Sequence, residues 1–143
     1  MELKSVTASV FFSSDVANLD TFPHFITDIQ MFTTTMTQPD PELFMRQFLT
    51  EEVASKDNKW QGRNITRWRN EEYDKLFKAS ESELDPVKRG ALFIKMNDLV
   101  IQNVVVVPIL HRRGVSAVGG ALRVELSGWD SDFWNLHNWF KEA

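Results

Sequence analysis

The chain has 143 residues, 43% of them hydrophobic and 25% charged, with a net charge of −4 at pH 7. That length fits one domain able to bury a core. The interspersed charges exclude a nucleic-acid groove, which needs a basic face. No run reaches the ~18 apolar residues of a membrane span, and the start lacks the charged-then-apolar order of an export signal, which taken alone suggests a cytoplasmic protein.

Residues 2–12 alternate, with Leu3, Val6, Ala8 and Val10 set against Lys4, Ser5, Thr7 and Ser9. This predicts a strand with one buried face, ended by Ser13-Ser14-Asp15. Asn18 or Asp20 is placed to cap a short helix carrying Phe22, Phe25, Ile26 and Ile29, with Pro23 in its first turn. Residues 28–36 are rich in β-branched and aromatic side chains and predict a second strand. Pro39-Asp40-Pro41 then stops the chain and starts a helix, with Asp40 as N-cap, Pro41 as its first residue and Phe44, Met45, Phe48 and Leu49 on one stripe. Residues 51–64 are polar and read as a surface loop. A helix over 71–80 points Tyr73, Leu76 and Phe77 inward. Another opens at Asp85-Pro86 and buries Leu92, Met96, Leu99 and Val100. Val104 to Leu110 is a continuous apolar run, the pattern of a strand covered on both faces. Strand-like pieces at 115–118 and 122–126 and a tail with Trp129, Trp134 and Trp139 complete the chain.

Strands interleaved with helices predict an α/β fold, a mixed sheet flanked by helices. Enzyme signatures are absent: there is no G-x-x-x-x-G-K-[ST], no G-x-S-x-G and no H-E-x-x-H. His24, His111 and His137 are scattered and no cysteine assists them, so neither a metal site nor a cofactor is expected. The chain reads as a non-enzyme.

The most informative stretch is 64–113. It holds Asn64 and Trp68 in a polar loop, then Asn70-Glu71-Glu72-Tyr73-Asp74-Lys75-Leu76, then Asp85-Pro86-Val87-Lys88-Arg89-Gly90-Ala91-Leu92, then Val107-Pro108-Ile109-Leu110-His111. This order resembles the C-terminal part of the extracellular solute-binding proteins of peptide/nickel-type ATP-driven (ABC) importers, solute-binding family 5. The resemblance implies that residues 1–116 are the C-terminal α/β lobe of a two-lobed periplasmic binding protein of type II-like fold. Residues 117–143 are then a tail that straps the lobes together. It implies a receptor that captures a solute, a peptide in many members, in the periplasm or outside the cell and delivers it to ABC permease subunits. It also implies an N-terminal lobe bearing the export signal. The aromatic load of eleven Phe, five Trp and one Tyr then includes side chains meant for that lobe, and the isolated chain would self-associate through them.

Four residues are candidates for ligand contact. The resemblance places Asp40 where an acidic residue pairs with a peptide's α-amino group, a charge-assisted bond that is strong when water is excluded; Asp40 can equally be an N-cap alone. Thr34 and Thr35 lie at a predicted strand end, where hydroxyls can meet a ligand or merely fill a half-exposed strand. Trp68 can stack on a ligand at a cleft mouth or anchor its loop to the helix that follows. Asn64 and Asn70 read as loop-fixing and helix-capping residues. Two other readings of the whole chain stay open, a self-standing interaction module and a small hydrolase with dispersed catalytic residues.

Overall fold

The computed structural model describes residues 2–36, 38–112, 114–128 and 133–142. Among these, the α-helices are α1 (Ala8–Phe11), α2 (Glu42–Met45), α3 (Glu71–Ser82) and α4 (Pro86–Gln102). Two-residue strands β1 (Leu122–Arg123) and β2 (Phe140–Lys141) pair antiparallel, Leu122 opposite Lys141 and Arg123 opposite Phe140. Single 3₁₀ turns lie at Arg46–Phe48, Thr50–Glu52 and Leu136–Asn138. The chain divides into two compact units, Met1–Phe32 with Met45–Val107, and Thr33–Phe44 with Pro108–Ala143.

The first unit is built on α3 and α4. Asn70 caps α3, its side-chain oxygen accepting from the Tyr73 amide at 3.0 Å. Asp85 caps α4, one carboxylate oxygen accepting from Val87 and Lys88 amides at 2.9 and 3.2 Å, and Pro86 follows as the first helical residue, where its missing N–H costs nothing. Tyr73, Phe77 and Ser80 are buried on α3, and Phe93, Met96 and Val100 on α4. Each large apolar side chain so buried contributes about 1.5–3 kcal/mol. Leu92 and Leu99 are only half-buried, and Phe93 takes the inward place that the sequence stripe assigned to Leu92. Met45, Phe48, Leu49, Val53, Ala54 and Ile65 complete the core.

Helix α4 ends in a Schellman motif. The Val105 amide reaches back to the Val100 carbonyl at 3.1 Å and the Val104 amide to Ile101 at 3.0 Å. The residue that must turn left-handed there is Val104, at φ 54°, where glycine is usual and a β-branched residue is strained.

The predicted mixed sheet flanked by helices is not what forms. Among the described residues the fold is mostly helical, with one small two-stranded antiparallel sheet. Residues 2–12 do not make a strand; they hold the short α1, whose side chains are not buried. The helix expected from Asn18 or Asp20 is replaced by turns, in which Asn18 accepts from the Asp20 amide at 3.0 Å and the Asp20 carboxylate pairs with Lys4. Residues 28–36 form no strand, and Ile29 and Met31 are exposed. The run from Val104 to Leu110, expected to be covered on both faces, is open to solvent: Val107 is 67% exposed, Ile109 75% and Leu110 81%. Among the described residues, no backbone hydrogen bond holds Val106–Leu110. The physical reason is common to all three segments. Strand propensity reports fit to a neighbouring strand, and without one beside it a β-branched run gains neither ladder bonds nor burial.

The first unit also gathers Phe11, Phe12, Phe22 and Phe32, with ring centroids 5.0–6.4 Å apart. The Phe22 amide donates to the Phe11 carbonyl at 2.8 Å and holds this cluster closed. In the second unit, β1 and β2 are tied by an Arg123–Glu142 ion pair.

Candidate functional site

Polar side chains of the first unit converge on the loop between the Thr50–Glu52 turn and α3. Asn64 is 1% exposed and acts as its clasp. Its Nδ2 donates to the carbonyls of Leu49 (2.9 Å), Trp68 (2.8 Å) and Phe48 (3.3 Å), while its Oδ1 accepts from the Thr66 hydroxyl at 3.0 Å. Its backbone bonds Glu52 and Ala54, so both chain directions are fixed at one residue. Trp68 packs edge-on against Tyr73 at 5.3 Å. The Tyr73 hydroxyl donates to the Met45 carbonyl at 2.6 Å, and Asp74 accepts from the Thr50 amide at 3.0 Å. Arg89 closes the far end, its Nε donating to the Ser80 carbonyl at 3.1 Å. Burial, then the Asp74 carboxylate, push the Tyr73 phenol well above its usual range, so it stays a neutral donor.

This frame supports an open depression of about 650 Å³, lined by Arg46, Glu52, Asp57, Asn58, Lys59 and Gln61 among others. Arg46 is committed to Glu52 at 2.8 Å, with Glu51 at 3.9 Å; the hydrogen bond to Glu52, then its charge, raise the guanidinium pKa. Gly62 is required at the rim, because a Cβ there would stand 2.2 Å from the Glu52 carbonyl oxygen. Lys59, Trp60 and Arg67 hold left-handed backbone at φ 54°, 60° and 59°. Such residues cost about 1–3 kcal/mol each and persist only where their surroundings over-determine them. The surroundings here are an aromatic stack: His24 lies 4.5 Å from Trp60, and the Arg67 guanidinium sits 5.4 Å from the same indole while donating to the His24 carbonyl. His24 is 2% exposed; its Nδ1 shares a 2.7 Å hydrogen bond with the Thr21 hydroxyl, and its buried Nε2 has no partner among the described residues.

The sequence-predicted ligand residues fall in different units. Trp68 belongs to the first, half-buried against Tyr73. Thr34, Thr35 and Asp40 belong to the second. Thr34 and Thr35 are exposed on an irregular segment, not at a strand end. Asp40 accepts from the Glu42 amide at 2.9 Å, and the helix begins at Glu42, one residue later than Pro41. Trp129 and Arg113 lie outside the described residues. Among the described residues, no three His, Cys, Asp or Glu side chains group as metal ligands. Nor is any helix long and apolar enough to cross a membrane. The stack of His24, Trp60 and Arg67 was not anticipated; the only signal was an isolated tryptophan two residues before a glycine in a polar loop.

Comparison with protein-family models, with curated proteins and with solved structures finds no match.

Proposed function

We propose that this chain is part of a receptor that captures a solute, in the first instance a peptide, outside the inner membrane and hands it to an ATP-driven importer. One observation carries this reading. Part of the motif on which the family resemblance rests also holds the first unit together: Asn64, Trp68, Asn70, Tyr73, Asp74, Asp85 and Arg89 each make a specific contact, whereas Val107 to Leu110 stand exposed. In this role the chain is a binder, not a catalyst. Ligand closes a receptor of this kind by binding the closed state better than the open one.

The test is to follow the reading frame in the genome and titrate its full product. The expected result is a frame that continues upstream into a second lobe with an export signal, beside permease and ATPase genes. Calorimetry of that product with mixed tripeptides should give micromolar binding. A frame that opens at Met1 with no importer genes beside it, and a product inert to peptides, overturns the proposal. The open apolar run from Val104 to Leu110 favours a second reading, a self-standing module that docks on another protein without transporting anything.

A further inference from the structure

We propose that the outer face of α4 docks an amphipathic helix of another protein, one whose apolar stripe is bordered by carboxylates and carries a basic residue at its centre. It does not rest on the receptor reading. Helix α4 buries Phe93, Met96 and Val100 and turns a second apolar stripe to solvent. Val87, Ile94 and Ile101 recur at intervals of one heptad and are 79%, 64% and 42% exposed. Ala91, between the first two, is exposed as well. This is the spacing of a coiled-coil seam, with Val87, Ile94 and Ile101 at one core position and Ala91 and Asp98 at the other.

Gly90 stands in the same seam, one helical turn from Val87 and one from Ile94. Glycine is the poorest helix former after proline, so its place in mid-helix calls for a reason. This chain supplies none: among the described residues, no atom outside its own stretch of helix stands within 4 Å of where a Cβ would be. A second backbone lying across α4 supplies one, because glycine beside alanine lets two helices approach closely.

Charge decides the occupant. Lys88 and Lys95, also one heptad apart, border the stripe on one side, and Asp98 interrupts it. All three are exposed, and among the described residues none has an ion-pair partner. A second copy fits badly both ways: in a parallel pair Asp98 meets Asp98, and in an antiparallel pair the lysine border meets the lysine border. An anionic lipid surface suits the lysines but sets Asp98 against like charge. A helix with carboxylates along its border and a Lys or Arg opposite Asp98 satisfies all three.

The probe is a synthetic helix of about three heptads, with leucine in the seam, one lysine at its centre and glutamate on both borders, so that it does not pair with itself. Its twin exchanges every glutamate for lysine and the central lysine for glutamate. Fluorescence anisotropy of the labelled peptides with the full chain is the readout. The acidic peptide should bind with a Kd on the order of 10–100 μM, and the basic twin at least about tenfold more weakly. A net charge of −4 pulls the other way, so nonspecific attraction does not produce this order. Ile94→Asp and Gly90→Gln should each weaken binding by about tenfold or more, the second while raising the urea midpoint. The chain carrying Lys88→Glu, Lys95→Glu and Asp98→Lys together should prefer the basic twin. No binding of the acidic peptide, equal binding of the twins, an unreversed preference in the triple variant, or undiminished binding in Ile94→Asp or Gly90→Gln would each overturn the surface. So would binding to phosphatidylserine vesicles that Ile94→Asp abolishes, or a sedimentation coefficient that Ile94→Asp lowers, since the occupant would then be a membrane or a second copy.

Discussion

Asn64 offers two side-chain protons to three carbonyls, so its loss is felt at several places at once. Asn64→Ala should cost about 3 kcal/mol, because buried carbonyls are left unpaired. Asp85→Ala removes an exposed cap and should cost about 1 kcal/mol. Urea unfolding of both variants checks the order, and equal costs would show that Asn64 is not the clasp. Tyr73 gives a pH test. Its folded-state pKa is raised above the ordinary 10.0 by burial first and Asp74 second. The stability this contributes is complete below about pH 10 and is lost as pH climbs through the raised folded value. Tyr73 is the only tyrosine, so tyrosinate absorbance reports it alone. Ionisation near pH 10 in a chain still folded would sink the assignment. For Asp40, the informative change is Asp40→Asn, which keeps an oxygen for the Glu42 amide and removes the charge. On the proposed receptor reading, peptide affinity of the full protein should fall by about 1.5–3 kcal/mol; unchanged calorimetric affinity would leave Asp40 a turn residue only.

Among the elements, what could be read from sequence was what is local. Asn70 three residues before Tyr73, and Asp85 followed by Pro86, are cap chemistry written within one turn, and both helices start where those residues stand. The partners of the same side chains were not legible: nothing near Tyr73 in sequence points to the Met45 carbonyl, nor near Asp74 to the Thr50 amide. The strands failed for the same reason taken further. Val104 to Leu110 has the composition of a buried strand, but a strand is defined by what lies beside it, and composition is silent on that. The candidate site was legible only at Asn64 and Trp68, whose loop the motif marks. The stack of His24, Trp60 and Arg67 joins residues 43 positions apart and carries no local signature. The C-terminus of α4 yields a prediction of its own. Glycine accepts the left-handed conformation that Val104 is forced into, so Val104→Gly should stabilise the chain by about 1 kcal/mol. A lower urea midpoint in this variant would mean that the valine side chain contributes more by contact than its backbone costs.

For the chain as a whole, the excess of exposed apolar surface is the feature with consequences. Val107, Ile109, Leu110 and Val115 are each more than half exposed, as are Ile29, Met31 and Leu3. A run of β-branched residues with an unpaired backbone is a template for another strand, and a net charge of only −4 offers limited repulsion between copies. The isolated chain is therefore expected to self-associate, through Val104 to Leu110 first, since that is the longest apolar run. Val107→Asp distinguishes an open run from a packed one. On an exposed segment the charge costs within about 0.5 kcal/mol, so the urea midpoint should hold while the sedimentation coefficient falls toward that of a monomer. In a buried strand the same charge would cost several kcal/mol and the chain would not fold. A collapsed midpoint would show that the run is covered. An unchanged midpoint with undiminished association would move the contact to another surface, the phenylalanine cluster around Phe12 and Phe22 being the next to vary. If association does fall, the proposed receptor reading has a sharper measurement: in a longer protein that gives the run its own partner, Val107→Asp should destabilise where in this chain it did not.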